Sequence, residues 1–309
     1  MPTLRDIKRR ITSIKSTQQI TKAMKMVAAS KLRRAQERIF EARPYANKMF
    51  AVLSSLAMRA KGEEHSLLAK RGGLKTEVLV ITSDRGLCGA LNANILKKAS
   101  EFIKEKKKDN YEVSINVIGR KGRDFFRRRN IPLRKTRVGL SGKVIYSNAQ
   151  EIAMEIVKNY TAEDPTHPKD PVGDSTHRAD REELSDEVHL VYNEFKSAMQ
   201  QRVVIEKLLP IEPQKVEKEE EVYYGEFLYE PSAPEVLDTL LPKHIEVQIF
   251  RALLESEASE QGARMTAMDN ATRNAKDMIE KLTLQYNKAR QASITKELME
   301  VVGGAEALK

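Results

Sequence analysis

The chain has 309 residues, of which 40% are hydrophobic, longer than one typical domain and apolar enough for a core. Charged residues make up 32%, aromatics 6%, and tryptophan is absent, a composition that suits long solvated helix around one compact domain better than two globules. Cys88 is the only cysteine, which excludes an internal disulfide and a cysteine-based zinc site and suits a reducing, cytoplasmic compartment; no run of about 18 apolar residues offers a membrane span, and Met1 to Arg10 lacks the apolar stretch of a secretory signal.

The net charge is +10, and the excess is concentrated at the start. Residues 1–40 hold eleven Lys or Arg against Asp6 and Glu37. A basic helix can serve nucleic acid, anionic lipid or an acidic protein surface, and charge alone does not choose among them. From Leu4 to Leu56 there is no glycine and one proline, Pro44, and the apolar positions follow a helical period. Leu4, Ile7, Ile11 and Ile14 form one run, Ile20, Met24 and Val27 the next. Ala35, Ile39, Ala42, Ala46, Met49, Leu53 and Leu56 alternate steps of four and three, the a/d seam of a coiled coil. Between the runs, around Thr17 and Gln18, we expect the seam to slip.

The middle alternates strand and helix signals: Glu77–Thr82, Asn94–Lys106, Val113–Ile118, Lys121–Arg129, Pro132–Val138, Ile145–Tyr160. A β-α-β-α-β-α series predicts a mainly parallel sheet, and Val188–Phe195 and Val203–Leu209 read as two more strands. Thr161–Asp186 is rich in proline and nearly free of apolar residues, so we read it as a surface insertion.

A second seam closes the chain: Leu254, Ala258, Gln261, Met265, Met268, Thr272, Ala275, Ile279, Leu282, Tyr286 and Ala289 keep the four-three alternation. Helices of fifty to sixty residues would run roughly 75 to 90 Å, and the two seams can pair antiparallel. Their small residues bury little area each at roughly 25 cal/mol per Å², so the coil is weaker than a leucine zipper. The predicted fold is therefore a long antiparallel coiled coil over 1–58 and 235–309, with a Rossmann-like α/β domain over 75–230 that carries the insertion at 161–186.

Ser83–Asn92 follows a strand and precedes a helix, where open α/β sheets bind ligands. It lacks the three-glycine dinucleotide spacing, and Gly139–Val144 lacks that of a phosphate loop; we read both as structural turns. The five histidines show no metal-ligand spacing; His167 and His177 share a loop and read as solvated. No nucleophilic or paired-carboxylate arrangement stands out. Leu298, Met299, Val301 and Val302 leave an apolar tail before Gly303 and Gly304, where we expect the helix to stop.

Ile20 to Lys31 (ITKAMKMVAASK) and Ile294 to Glu300 (ITKELME) with Gly304-Ala305, together with Ser83–Asn92, Val191–Phe195 and Leu237–Leu241, resemble five ordered segments of the γ subunits of F-type ATP synthases, so the likeness spans nearly the whole chain. The resemblance implies a non-catalytic rotor axle without a cofactor. It would stand in a hexamer of three α and three β subunits, over a ring of c subunits and beside ε, peripheral to the cell membrane on its cytoplasmic side. Such an axle couples ion flow through the membrane ring to the catalytic sites and regulates both. By resemblance Met24, Lys25, Lys31, Arg290, Gln291 and Thr295 contact β, Phe227, Leu228, Tyr229 and Glu230 contact the c ring, and Leu298, Val301 and Val302 form an apolar bearing tip. No nucleic acid is expected; a basic scaffold that binds duplex DNA with a steep salt slope is the rival reading. Glu212 to Val222 lacks the cysteine pair of the chloroplast form, so that thiol regulation is not expected.

Overall fold

In a computed structural model the described residues are 3–59, 65–69, 71–161, 185–211 and 233–306. The elements run α1 Leu4–Arg59, β1 Lys75–Ile81, α2 Leu91–Lys108, β2 Glu112–Ile118, α3 Arg120–Arg127, β3 Lys135–Arg137, α4 Tyr146–Thr161, β4 Glu187–Phe195, β5 Gln201–Leu209 and α5 Ala233–Glu306. Chain contacts divide these into two compact units. One comprises residues 1–30 and 264–309, the other 31–263, so the division falls inside both long helices.

The larger unit holds one five-stranded sheet in the order β3-β2-β1-β4-β5. β1 pairs in parallel with β2 and β4, β3 pairs in parallel with β2, and β5 closes the edge antiparallel to β4. Strand alternation splits the core. Val78, Val80, Ile115, Val117 and Val191 meet Ile95, Ala99 and Ile103 of α2 and Phe126 of α3. The opposite face takes α4 and α5, where Tyr146 meets Phe250 ring edge to face at 5.4 Å, and Ile152, Ile156, Leu241, Ile245, Ile249 and Leu253 are all buried. β3 is shorter than its sequence signal: Pro132 has no N–H to give a ladder, the first backbone bond to β2 is from Arg134 N to Ile115 O, and the strand covers only Lys135–Arg137.

The smaller unit is a two-helix coiled coil. Thr272 Oγ1 donates to Thr21 Oγ1 at 2.8 Å and Lys25 Nζ donates to Asp269 Oδ1 at 2.5 Å; the partner numbers fall as the first numbers rise, so the pairing is antiparallel. Along α5, Ala275, Ile279, Leu282, Tyr286, Ala289 and Ser293 are the only positions between Arg273 and Gly303 that are not exposed, which is the predicted seam with one further step.

Two expectations fail here. The seam of α1 does not slip: Ile7, Ile11, Ile14, Gln18, Thr21, Lys25 and Ala28 hold the four-three alternation, and Ile20 and Val27 are exposed. Thr21 takes the inward place because its hydroxyl bonds both to Gln18 O and to Thr272, so hydrogen bonding satisfies a polar layer that an apolar pattern overlooks. Nor does α5 stop at the glycines, as it continues through Gly303 and Gly304 to Glu306. Glycine weakens a helix by about 1 kcal/mol without obliging it to end.

Candidate functional site

The order β3-β2-β1-β4 reverses direction between β1 and β4, and open α/β sheets bind ligands in the crevice beyond the carboxyl ends of such a pair. Here the crevice is filled by the chain itself. Leu253, Ser256, Glu257 and Glu260 of α5 line it with Thr82, Ser83, Ser141 and Asn193, and the remaining cavity is about 30 Å³, room for a water or two. The place where an anion would sit is also taken. The Asp84 carboxylate accepts the backbone N–H groups of Arg120, at the start of α3, and of Gly139 and Ser141, at 3.0, 2.9 and 3.2 Å. The loop after β1 is a structural turn: Leu87 and Gly89 have positive φ, and Asn92 closes it with hydrogen bonds to Ser83 N and Oγ.

What the crevice lacks in ligand it supplies as anchorage for α5. Ser259 is fully buried and its Oγ donates to Asn193 O at 3.0 Å. Ser141 Oγ donates to Glu260 Oε2 at 2.6 Å. Elsewhere on α5, Arg251 Nη2 donates to both oxygens of Glu206 at 2.8 and 2.7 Å, Tyr192 OH donates to the same carboxylate, and Tyr146 OH donates to Glu246. Burial pushes the Glu257 carboxyl above its ordinary value, with Arg38 pulling it back from 4.0 Å. α1 joins the same loop, as Arg38 Nη1 donates to Val144 O at 3.3 Å.

The residues expected to meet partners fall in three places. On α1, Met24 and Lys25 are half-buried and Lys31 is exposed; the charge of Lys25 is met by Asp269 of the same chain. Arg290, Gln291 and Thr295 are exposed along α5, and Thr295 Oγ1 donates back to Gln291 O. The tip is bare: Ile294, Leu298, Met299, Val301 and Val302 are 48–70% exposed. By the pairing of Thr21 with Thr272, Leu4 falls opposite Ala289, so Arg290 onward runs past the start of α1, leaving 17 residues, or about 26 Å, as a single helix. Phe227, Leu228, Tyr229 and Glu230, the insertion at 162–184 with His167 and His177, and Glu212–Val222 lie outside the described residues. Sequence reasoning missed Asp84, Ser141, Ser259, Glu260 and Gly262, whose partners lie far off in the chain; the only local signal is the pair of polar residues Ser259 and Glu260 between the seam positions Ala258 and Gln261.

The ATP synthase family profile matches residues 3–308. The ATP synthase gamma chains of Geobacter metallireducens and Pelotomaculum thermopropionicum are 50% and 48% identical to it, each over the full length of both chains. The chain belongs to the ATP synthase gamma-chain family. It is the rotor shaft of an ATP synthase and not its catalyst. Among similar solved structures, the central stalk and c-ring of the Tetrahymena thermophila mitochondrial ATP synthase has a chain 25% identical, with a TM-score of 0.57 over 82% of this chain and 99% of that one. A chain of the Euglena gracilis mitochondrial ATP synthase shares the fold at 20% identity, with a TM-score of 0.63 over 99% and 94%. Among the described residues of this gamma chain no helix is long and apolar enough to cross a membrane.

Proposed function

We propose that the two long helices turn inside a ring of three α and three β subunits, while the α/β domain rides on the ring of c subunits beside ε at the cytoplasmic face of the cell membrane. The bare, apolar end of α5 carries this reading. A large exposed apolar surface on one helix demands a cover, and an apolar sleeve covers it without the fixed hydrogen bonds that would resist turning. Leu298, Val301 and Val302 are the bearing surface.

The flank of α1 is the second contact. Arg5, Lys8, Arg9, Arg10, Lys15 and Lys22 are all exposed, so α1 presents a basic surface outside its seam, matched to an acidic loop on β. Met24 and Lys31 lie on this route; Lys25 acts there with its charge shared with Asp269. Arg290, Gln291 and Thr295 form the upper catch on α5. By resemblance Phe227, Leu228, Tyr229 and Glu230 seat the domain on the c ring. A shaft with one basic side presents a different face to each of three β subunits in turn and biases each between open and closed. Driving such a balance from 1:99 to 99:1 needs about 5.5 kcal/mol of differential interaction, within reach of several charge contacts.

Reconstitution tests this. With α, β, ε and the membrane ring in vesicles, the chain should assemble and link ATP hydrolysis to ion pumping. A chain that stays outside the assembly, or hydrolysis that pumps equally well without it, would reject the reading.

A further inference from the structure

We propose that torque passes between the α/β domain and the shaft through a polar joint over the carboxyl ends of β1 and β4, in which Ser259, Glu260 and Gly262 key α5 to the loop 139–144 and to the turn between β4 and β5; this rests on the shaft reading above.

Apolar side chains hold a helix against a sheet but let it slide or roll, because dispersion and burial have little direction. Resistance to rolling needs directional bonds or steric interlock, and α5 has both in one turn. Ser259 Oγ donates to Asn193 O at 3.0 Å from a site with no exposure. Glu260 is 4% exposed and receives the Ser141 hydroxyl at 2.6 Å, a charge-assisted bond of the stronger kind. At Gly262 the helix backbone comes so close to the turn that an added Cβ would lie 3.2 Å from both Ala198 Cα and Phe195 Cε2. Glycine costs the helix stability, and what it gains here is this interlock.

The receiving loop is itself tied down. Gly139 N and Ser141 N both donate to Asp84 Oδ2, and Asp84 follows the central strand β1 by three residues. An unbroken series of bonds therefore leads from the middle of the sheet through Asp84 and Ser141 to Glu260. Arg38 of α1 bonds the same loop at Val144 O, so both shaft helices are held by one short segment. Tyr146–Glu246 and Arg251–Glu206 hold α5 earlier and carry less of the twist.

The test uses the full complex, fixed by its hexamer, with a magnetic bead on the α/β domain. Ser141→Ala with Glu260→Gln, and separately Gly262→Ala, should lower the stall torque about twofold while leaving unloaded hydrolysis unchanged. Alanine favours helix, so Gly262→Ala disturbs the interlock without unfolding α5. Tyr146→Phe, which removes the Tyr146–Glu246 bond, should keep the wild-type torque. If the wild type rotates and both joint variants stall at its torque, or if Tyr146→Phe weakens torque as much as they do, the joint is overturned. A wild-type complex that does not rotate would instead overturn the shaft reading.

Discussion

His244 lies on the buried face of α5 with 6% exposure, and burial, aided by the Arg251 cation, holds its imidazole down to about 4. An unfolded chain binds this proton near the ordinary value of about 6.5. Below that pH the unfolded state therefore holds a proton that the folded state refuses, and stability falls from about pH 6.5 down to about 4. The change is roughly 3 kcal/mol when complete. Urea titrations across this window should show the midpoint falling with acid for the wild type and a flatter profile for His244→Gln. Equal slopes would contradict the assignment. Glu187 works in a lower range: burial pushes its carboxyl up, but Lys106, His189 and Lys207 outweigh this and hold it at about 2, so its contribution is lost only as the pH falls from about 4.5 towards 2. Neither effect is legible in sequence, since a histidine reads the same buried or solvated.

The helices were the most legible elements. A four-three alternation repeated over many turns of α5 cannot arise readily from a strand or a loop, and each predicted seam position is half-buried or buried. On α1 the same logic misled where Ile20 and Val27 stood in for the true seam at Gln18, Thr21 and Lys25, because polar layers carry no apolar period. Ala28, 1% exposed, is a small residue enclosed in the seam. Ala28→Leu should overpack it and cost about 1–3 kcal/mol, read as a lower thermal midpoint for the isolated chain. Val27→Ala, on the exposed side of the same turn, serves as the near-neutral control; a loss as large there would contradict the seam. The sheet was legible as a β-α-β series, with strand existence clear from apolar runs. Its order was not, because pairing β4 beside β1 depends on residues more than a hundred positions apart. For the same reason the filling of the crevice by α5 could not be read: Glu260 meets Ser141 across 119 residues, and a loop that resembles a ligand site shows its true use only when its neighbour is in place.

At the scale of the whole molecule, charge and apolar surface sort to different tasks. Most of the net charge of +10 is concentrated in residues 1–40, the exposed apolar residues of the α5 tip follow Ser293, and the ligand crevice of the sheet is largely filled by α5. That distribution fits a part that transmits force and leaves chemistry to its partners. The most direct measurement attaches a probe to the α/β domain of the chain assembled with α and β subunits fixed to a surface, and follows the probe during ATP hydrolysis. The probe should rotate in one direction, in discrete steps that track hydrolysis. A probe that stays still while the assembled complex hydrolyses ATP would contradict the shaft reading.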